Sequence, residues 1–258
     1  MGAQVTTLLC DSDIFAFKLA STNQVNSPWG SWTYPEQAIQ LLDSYVAELT
    51  ELLKADAVIM CLTDPEDNFR YDIMDNYKDR DRSGRPELLT MLKQHLTDEY
   101  KSYIRPRLEA DDIMGILATH PKLVDDSNVI VVSEDKDLRT VPCKLYNPNR
   151  PELKTITITD QQAKAFHMWQ TICGDATDGF KGAKGVGKAS EYAQDIIAAD
   201  PEDMWDIVLD AFASAGMTEA DALVNARMAK ILTWRHYNFK LKEVIHWTPL
   251  DLHIDAGY

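Results

Sequence analysis

Acidic residues in this chain collect where apolar runs stop. Val129-Ile130-Val131-Val132 passes through Ser133 and Glu134 to Asp135 and Asp137, two carboxylates spaced i, i+2. Val5 to Cys10 leads into Asp11 and Asp13, and Ala57 to Thr63 leads into Asp64. Glu109, Asp111 and Asp112 crowd into consecutive positions with only Ala110 between them, and Asp175 and Asp178 form a further pair at i, i+3. Crowded carboxylates repel one another unless a cation lies among them. With no clustered His or Cys to join them, such a group would select a hard ion, Mg²⁺ or Mn²⁺, bound through oxygen.

Certain elements must carry these acids. An unbroken β-branched run reads as a strand buried on both faces, the habit of a parallel sheet. Ligands of open α/β sheets bind beyond the carboxyl ends of the strands, so three parallel strands that stop at aspartate would bring their acids to one rim. From about Pro35, Ala38, Leu41, Leu42, Tyr45, Val46, Leu49 and Leu52 recur at helical spacing, and this helix returns the chain to the second strand as a right-handed βαβ unit. Ile14 to Phe17 continues apolar beyond the first strand before Ser27-Pro28-Trp29-Gly30 breaks the pattern. A helix over about 86–96, a short strand at Tyr103-Ile104 and a helix from Leu108 to Ala118 follow. Glu109 and Asp112 share the first turn of that last helix, where acids are also ordinary partners of the helix dipole. Short strands are expected at 144–146 and 155–158, then a helix capped by Thr159-Asp160. Helices over about 188–198, 201–215 and 219–237 come next, and the final dozen residues read as a tail lying across the body. The fold class is therefore α/β: a mainly parallel sheet flanked by helices, with a helical carboxyl-terminal region.

The net charge of −15 is opposite to what phosphate contact ordinarily demands, yet a cation site also concentrates acids. Four cysteines with no CxxC argue against zinc and against a disulfide framework, and suit a reducing cytosol. No stretch approaches the ~20 apolar residues of a membrane span and no signal-peptide pattern opens the chain, so a soluble cytoplasmic protein is expected. Asp64 to Arg85 is the most basic stretch, with Arg70, Lys78, Arg80, Arg82 and Arg85 among Phe69, Tyr71 and Tyr77. It reads either as a solvated loop or as one that grips phosphates and stacks on bases.

The densest motif is the glycine-rich stretch from Gly174 to Ser190. Gly182, Gly187 and Lys188 match a phosphate-binding P-loop up to the next position, where Ala189 replaces the Ser or Thr that holds Mg²⁺. The segment before it also reads as helix, whereas a P-loop follows a strand, so nucleotide hydrolysis is excluded. A turn between two helices remains. Its glycines serve either the turn itself or the close approach of a phosphodiester backbone to exposed amides, with Lys184 and Lys188 alongside.

Taken together these residues resemble the 5′-nuclease family of flap endonucleases and 5′-to-3′ exonucleases, most closely the replication exonucleases of podophages. The matching pieces are Asp11, Asp64, Tyr77-Lys78, Glu109-Ala110-Asp111-Asp112, Ser133-x-Asp135-x-Asp137 and Gly174-Asp175-x-x-Asp178 with the glycine turn. Gly174 to Phe180, Ala226 to Leu232 and Tyr237-Asn238-Phe239 are similar to the podophage subgroup. The resemblance implies a resolvase-like (PIN-like) sheet, with residues 1–159 as a metal-binding nuclease core carrying a basic loop or arch at about 65–96. Residues 160–258 would be a DNA-binding region with a helix-three-turn-helix, which often holds a K⁺ ion. Asp11, Asp64, Glu109, Asp111 and Asp112 would gather one Mg²⁺ or Mn²⁺, and Asp135, Asp137, Asp175 and Asp178 a second. Lys78 would contact the scissile phosphate, with Asp11, Asp64, Asp111 and Asp135 as its catalytic companions. Arg70, Tyr77, Arg80 and Arg82 in the loop, and Gly182, Lys184, Gly185, Gly187 and Lys188 in the turn, would bind DNA. The implied substrate is duplex DNA with 5′ ends, with RNA–DNA hybrid as a further class, in the cytoplasm of a phage-infected host.

Two departures bear on this reading. Asp81 stands three residues after Lys78, where members commonly have Arg, and the stretch from Asp64 to Glu109 is short for an arch that threads a flap. Both weigh against flap cleavage more than against exonuclease action. Competing readings are a catalytically silent DNA-binding protein of the same fold, an RNA-cleaving nuclease on the same sheet, and a calcium module. The last is disfavoured because Phe15 occupies the fifth position of its loop.

Overall fold

A computed structural model describes residues 5–75, 77–78 and 84–254. Its first elements are β1 (Val5–Asp11), α1 (Ser12–Thr22), a hairpin of β2 (Gln24–Ser27) and β3 (Gly30–Thr33), α2 (Pro35–Leu52) and β4 (Ala57–Cys61). Then come α3 (Leu89–Glu99), β5 (Ser102–Tyr103), α4 (Ala110–Ala118), α5 (Pro121–Asp126), β6 (Ser127–Val132), β7 (Lys144–Tyr146) and β8 (Ile156–Thr157). The rest is mostly helical, with α6 (Asp160–Cys173), α7 (Glu191–Ala198), α8 (Met204–Ser214) and α9 (Glu219–Ala229), followed by the short pair β9 (Tyr237–Asn238) and β10 (Glu243–Val244). Among the described residues, no helix is long and apolar enough to cross a membrane.

Strand order in the main sheet is β5-β4-β1-β6-β7-β8. All neighbours are parallel except β8, which runs antiparallel to β7. Leu9 pairs with Ile59 on one side and Val131 on the other, so the three apolar runs lie side by side and end at one edge. Both faces are covered, as unbroken β-branched runs require. Leu9, Ile59 and Val131 pack with Ile113, Met114 and Ile116 of α4, whereas Leu8, Met60, Ile130 and Val132 pack with Phe15, Leu42 and Leu92 of the opposite helices. The carboxyl-terminal helices build their own cluster around Met168, Ile172, Val208 and Phe212, while Ala163, Ile231, Leu232 and Tyr237 join the sheet's core. Helical region and sheet therefore share apolar contacts, which fixes one against the other.

Several segments differ from the sequence expectation, α5 among them, where no helix is expected. Ile14 to Phe17 is helical, because Asp11 caps α1 by accepting the Ile14 amide at 3.3 Å and Phe15 turns into the core. The break at Ser27–Gly30 proves to be the turn of a hairpin, whose four-residue strands carry only Val25 and Trp32 as apolar residues and so are too short to announce themselves by alternation. The helix expected to reach Tyr237 stops at Ala229. From Lys230 the chain runs extended under α4, where the Leu232 amide donates to Asp112 at 3.1 Å. Gly115 permits that crossing, since a Cβ there would lie 2.3 Å from the Leu232 carbonyl oxygen.

Candidate active site

The shared strand edge carries the acids. Asp11 ends β1 and is 3% exposed, with its Oδ2 accepting the Ser133 hydroxyl at 2.7 Å. Ser133 Oγ in turn accepts the Asp135 amide at 3.1 Å, so one hydroxyl ties the ends of β1 and β6 together. Asp135 caps the short 3₁₀ turn Lys136–Thr140 by accepting the Asp137 amide at 2.8 Å. α4 points its amino-terminal turn at the same place and adds Asp111, whose carboxyl is held well above the usual carboxylate range by burial and then by the charges of Asp11, Asp135 and Glu109. Burial, with Asp13 and Asp135 near, also raises the Asp11 carboxyl. Burial and mutual repulsion thus disfavour the charged form of both carboxyls.

The second set stands across a small cavity that Asp111, Asp135, Asp137 and Asp178 line together. Asp137 accepts Lys136 Nζ at 2.6 Å and Gln170 Nε2 at 2.7 Å, and Lys136 also reaches Asp175 at 2.8 Å. A bridge between Asp175 and Phe180 closes the loop that holds Asp178. Lys78 lies with its ammonium 2.8 Å from Glu109 and 3.6 Å from Asp178. Its backbone sits at φ +46°, a left-handed conformation that costs a lysine energy.

The donor set suits a hard divalent ion, since it consists of carboxylates, and burial raises the proton affinity of Asp11, Asp111, Asp137 and Asp178 among them. Among the described residues, no three of these acids already close into a metal cage. Lys78 and Lys136 instead bridge carboxylates and supply the positive charge there.

Several expected site residues are placed elsewhere. Asp112, expected as a metal ligand, is fully buried and held bidentately by Arg70 at 2.7 and 2.9 Å, so its charge is already compensated. Arg70, expected on DNA, is 3% exposed, and its remaining donors go to Glu109 and the carbonyls of Met228 and Lys230. Tyr77 is 2% exposed and donates its hydroxyl to Glu109 at 2.7 Å, so its ring is not a surface for bases. Asp64 lies half-buried on the adjoining cleft, where its oxygens accept the Arg107 and Glu66 amides at 2.7 and 3.1 Å. Arg80 and Arg82 lie outside the described residues.

The glycine turn divides in two. Gly182 is buried and donates its amide to Asn225 at 2.8 Å, which removes it from any phosphate contact. Lys184, Gly185, Gly187 and Lys188 are exposed. Gly182 has φ +66° and a Cβ there would meet the Ile172 carbonyl at 2.4 Å, whereas Gly185, at φ +83°, faces open space. Gly182→Ala is therefore expected to destabilise the protein by about 3 kcal/mol and Gly185→Ala by about 1 kcal/mol, as read by urea denaturation. Equal costs would refute the division.

Sequence reasoning missed the bridging roles of Ser133, Lys136 and Gln170. Ser133 stands two residues before Asp135 and Lys136 between the two aspartates, a signal the sequence did contain; Gln170 needed the fold.

Residues 6–166, from β1 into α6, match the family model for the 5′-3′ exonuclease, N-terminal resolvase-like domain. The chain is 28% identical, over an alignment 284 positions long with its gaps, to the exonuclease of Escherichia phage T7, covering 94% of this chain and 93% of the relative. It is 28% identical to the exodeoxyribonuclease of Enterobacteria phage T3, covering 94% and 92%. Among solved structures, the bacteriophage T5 flap endonuclease in a pseudo-enzyme-product complex with DNA and metal ions superposes with a TM-score of 0.63 at 15% identity, covering 88% of this chain and 89% of that one. The T5 protein co-crystallised with metal ions gives 0.61 at 16% identity over the same shares. A family match that spans more than half of the chain leads to one conclusion: this protein belongs to the 5′-3′ exonuclease family.

Proposed function

We propose that this 5′-3′ exonuclease hydrolyses phosphodiester bonds of duplex DNA from the 5′ end with two divalent ions, Mg²⁺ or Mn²⁺. The supporting observation is the convergence of Asp11, Asp111 and Asp135 at one strand edge, where the charge of Asp135 raises the proton affinity of both Asp11 and Asp111 and that of Asp11 raises Asp111 further. Asp11, Asp111 and Glu109, with Asp64 at the rim, would hold one ion, and Asp135, Asp137, Asp175 and Asp178 the other. Paired ions of this kind activate the attacking water and offset charge on the phosphate. Lys78, held between the two acid sets, would grip the scissile phosphate in exchange for Glu109 and Asp178. Exposed amides at Gly185 and Gly187, with Lys184 and Lys188, would hold the duplex backbone without reading its bases. A K⁺ ion in that turn, RNA–DNA hybrid as a second substrate, a division into residues 1–159 and 160–258, and action in the cytoplasm of an infected host belong to the same reading.

Flap cleavage is the alternative, favoured by the open cleft of about 520 Å³ that runs beside Asp64, Lys78 and Lys93. End-labelled blunt duplex, 5′-flap and hybrid substrates separate these activities when assayed side by side. Duplex digestion from the 5′ end is expected, abolished by EDTA and restored by Mg²⁺. Undiminished digestion in EDTA would refute the two-ion reading.

A further inference from the structure

A second cleft opens on the other side of the acid cluster. It has a volume of about 460 Å³ and runs from Asp135 and Lys136 past Arg139 and Arg150 to Lys154 at the β7–β8 edge of the sheet. Its charge is not that of the protein as a whole. Glu134 at its mouth is paired with Lys18, and Lys136 with Asp137 and Asp175. Arg139, Arg150 and Lys154 make no ion pair among the described residues, and all three are exposed. In a chain of net charge −15, three uncompensated cations in one groove are a local basic track.

The groove also has a firm side and an apolar ledge. The Arg139 guanidinium lies 4.7 Å over the Phe166 ring, and Phe166 is stacked on Trp169 at 5.4 Å with an interplanar angle of 21°. That column holds the arginine head in place. Leu153 and Ile156, 51% and 38% exposed, line the same groove between the cations. Double-stranded nucleic acid turns phosphates outward and hides its base faces, so it has no use for an apolar ledge. A single strand presents both phosphates and unstacked bases.

We infer that this cleft docks a single-stranded stretch of nucleic acid contiguous with the strand being cut, its phosphates on Arg150 and Lys154 and its bases against Leu153 and Ile156. The proposal rests on the nuclease reading for the strand it serves, but its binding surface is testable without catalysis. Fluorescence anisotropy of the full chain in EDTA, with a labelled oligodeoxythymidylate and a labelled blunt duplex as probes, compares the wild type with the double variant Arg150→Ala/Lys154→Ala. Single-strand affinity is expected to fall about tenfold, with the slope of log affinity against log salt shallower by about one, while blunt-duplex affinity holds. Unchanged single-strand affinity overturns the proposal, and so does an equal loss on both probes, which would make the groove a duplex contact. A wild type that binds single strand through this pair yet digests no DNA in Mg²⁺ would keep the groove and refute only the nuclease reading.

Discussion

Asp111→Asn is expected to abolish digestion of duplex DNA, with a loss of at least about a thousandfold, while leaving the metal-free protein as stable as the wild type or more so. Both effects have one cause. Asp111 is partly buried at the start of α4 with Asp11, Asp135 and Glu109 around it, and its carboxyl is held well above the ordinary range. Without a cation the ionised form is disfavoured in the fold, so the neutral amide removes repulsion of roughly 1 kcal/mol. The linkage has a definite sign. A carboxyl whose proton affinity is higher folded than unfolded binds more protons in the native state, so the metal-free wild type gains stability as pH falls from neutral towards the ordinary carboxylate range. That gain should be smaller in the Asn variant. Urea denaturation in EDTA between pH 5 and 7.5, paired with a duplex digestion assay in Mg²⁺, checks both halves. A variant that is inactive because it is less stable would mark Asp111 as a structural residue and refute its place in the ion site.

Arg70→Met is expected to be the most damaging substitution for stability, at about 3–5 kcal/mol. The guanidinium is buried, grips both oxygens of fully buried Asp112, reaches Glu109 at 3.0 Å, and takes the carbonyls of Met228 and Lys230. Methionine fills much of the volume but leaves Asp112 with a buried charge that only the Leu232 and Glu109 amides answer. A companion Asp112→Leu change should recover a large part of the loss, because replacing both partners removes the orphaned charge. Failure of the double variant to regain stability in urea would assign the cost to lost packing instead. The pair also clamps three separate pieces of chain together: the turn after β4, the start of α4 and the extended segment after α9. Glu109 shares in this clamp. Burial alone would raise its carboxyl, but Arg70 and Lys78 outweigh that and lower it from 4.5 to about 2. Its contribution is therefore present above about pH 4.5 and lost as pH falls towards about 2.

Asp111 and Asp112 show how far the sequence could be read. Side chains of adjacent residues on a helix point about 100° apart, so only one of them can face the strand edge. Nothing in Glu109-Ala110-Asp111-Asp112 says which. Arg70 and Tyr77 present the same difficulty from the other side. In sequence they belong to a polar stretch with the composition of a loop, and only the return of residues 228–232 beneath α4 buries them. Gly182 and Gly185 are likewise indistinguishable in a run of glycines, although one is pinned by Asn225 and the other is open to solvent.

What the amino-acid order alone determined is the frame: buried β-branched strands, a helical crossover that makes them parallel, and carboxylates at their carboxyl ends. These features are local, because burial on both faces writes itself into consecutive residues and parallel pairing follows from the intervening helix. Tertiary packing decided which carboxylates meet and which are neutralised. It set Asp11, Asp111 and Asp135 together, drew Asp112 away to Arg70, and laid Lys78 and Lys136 across the remaining acids. Those choices depend on contacts between segments as distant as Arg70 and Lys230, and the energy of a buried charge is fixed by its partners rather than by its neighbours in the chain.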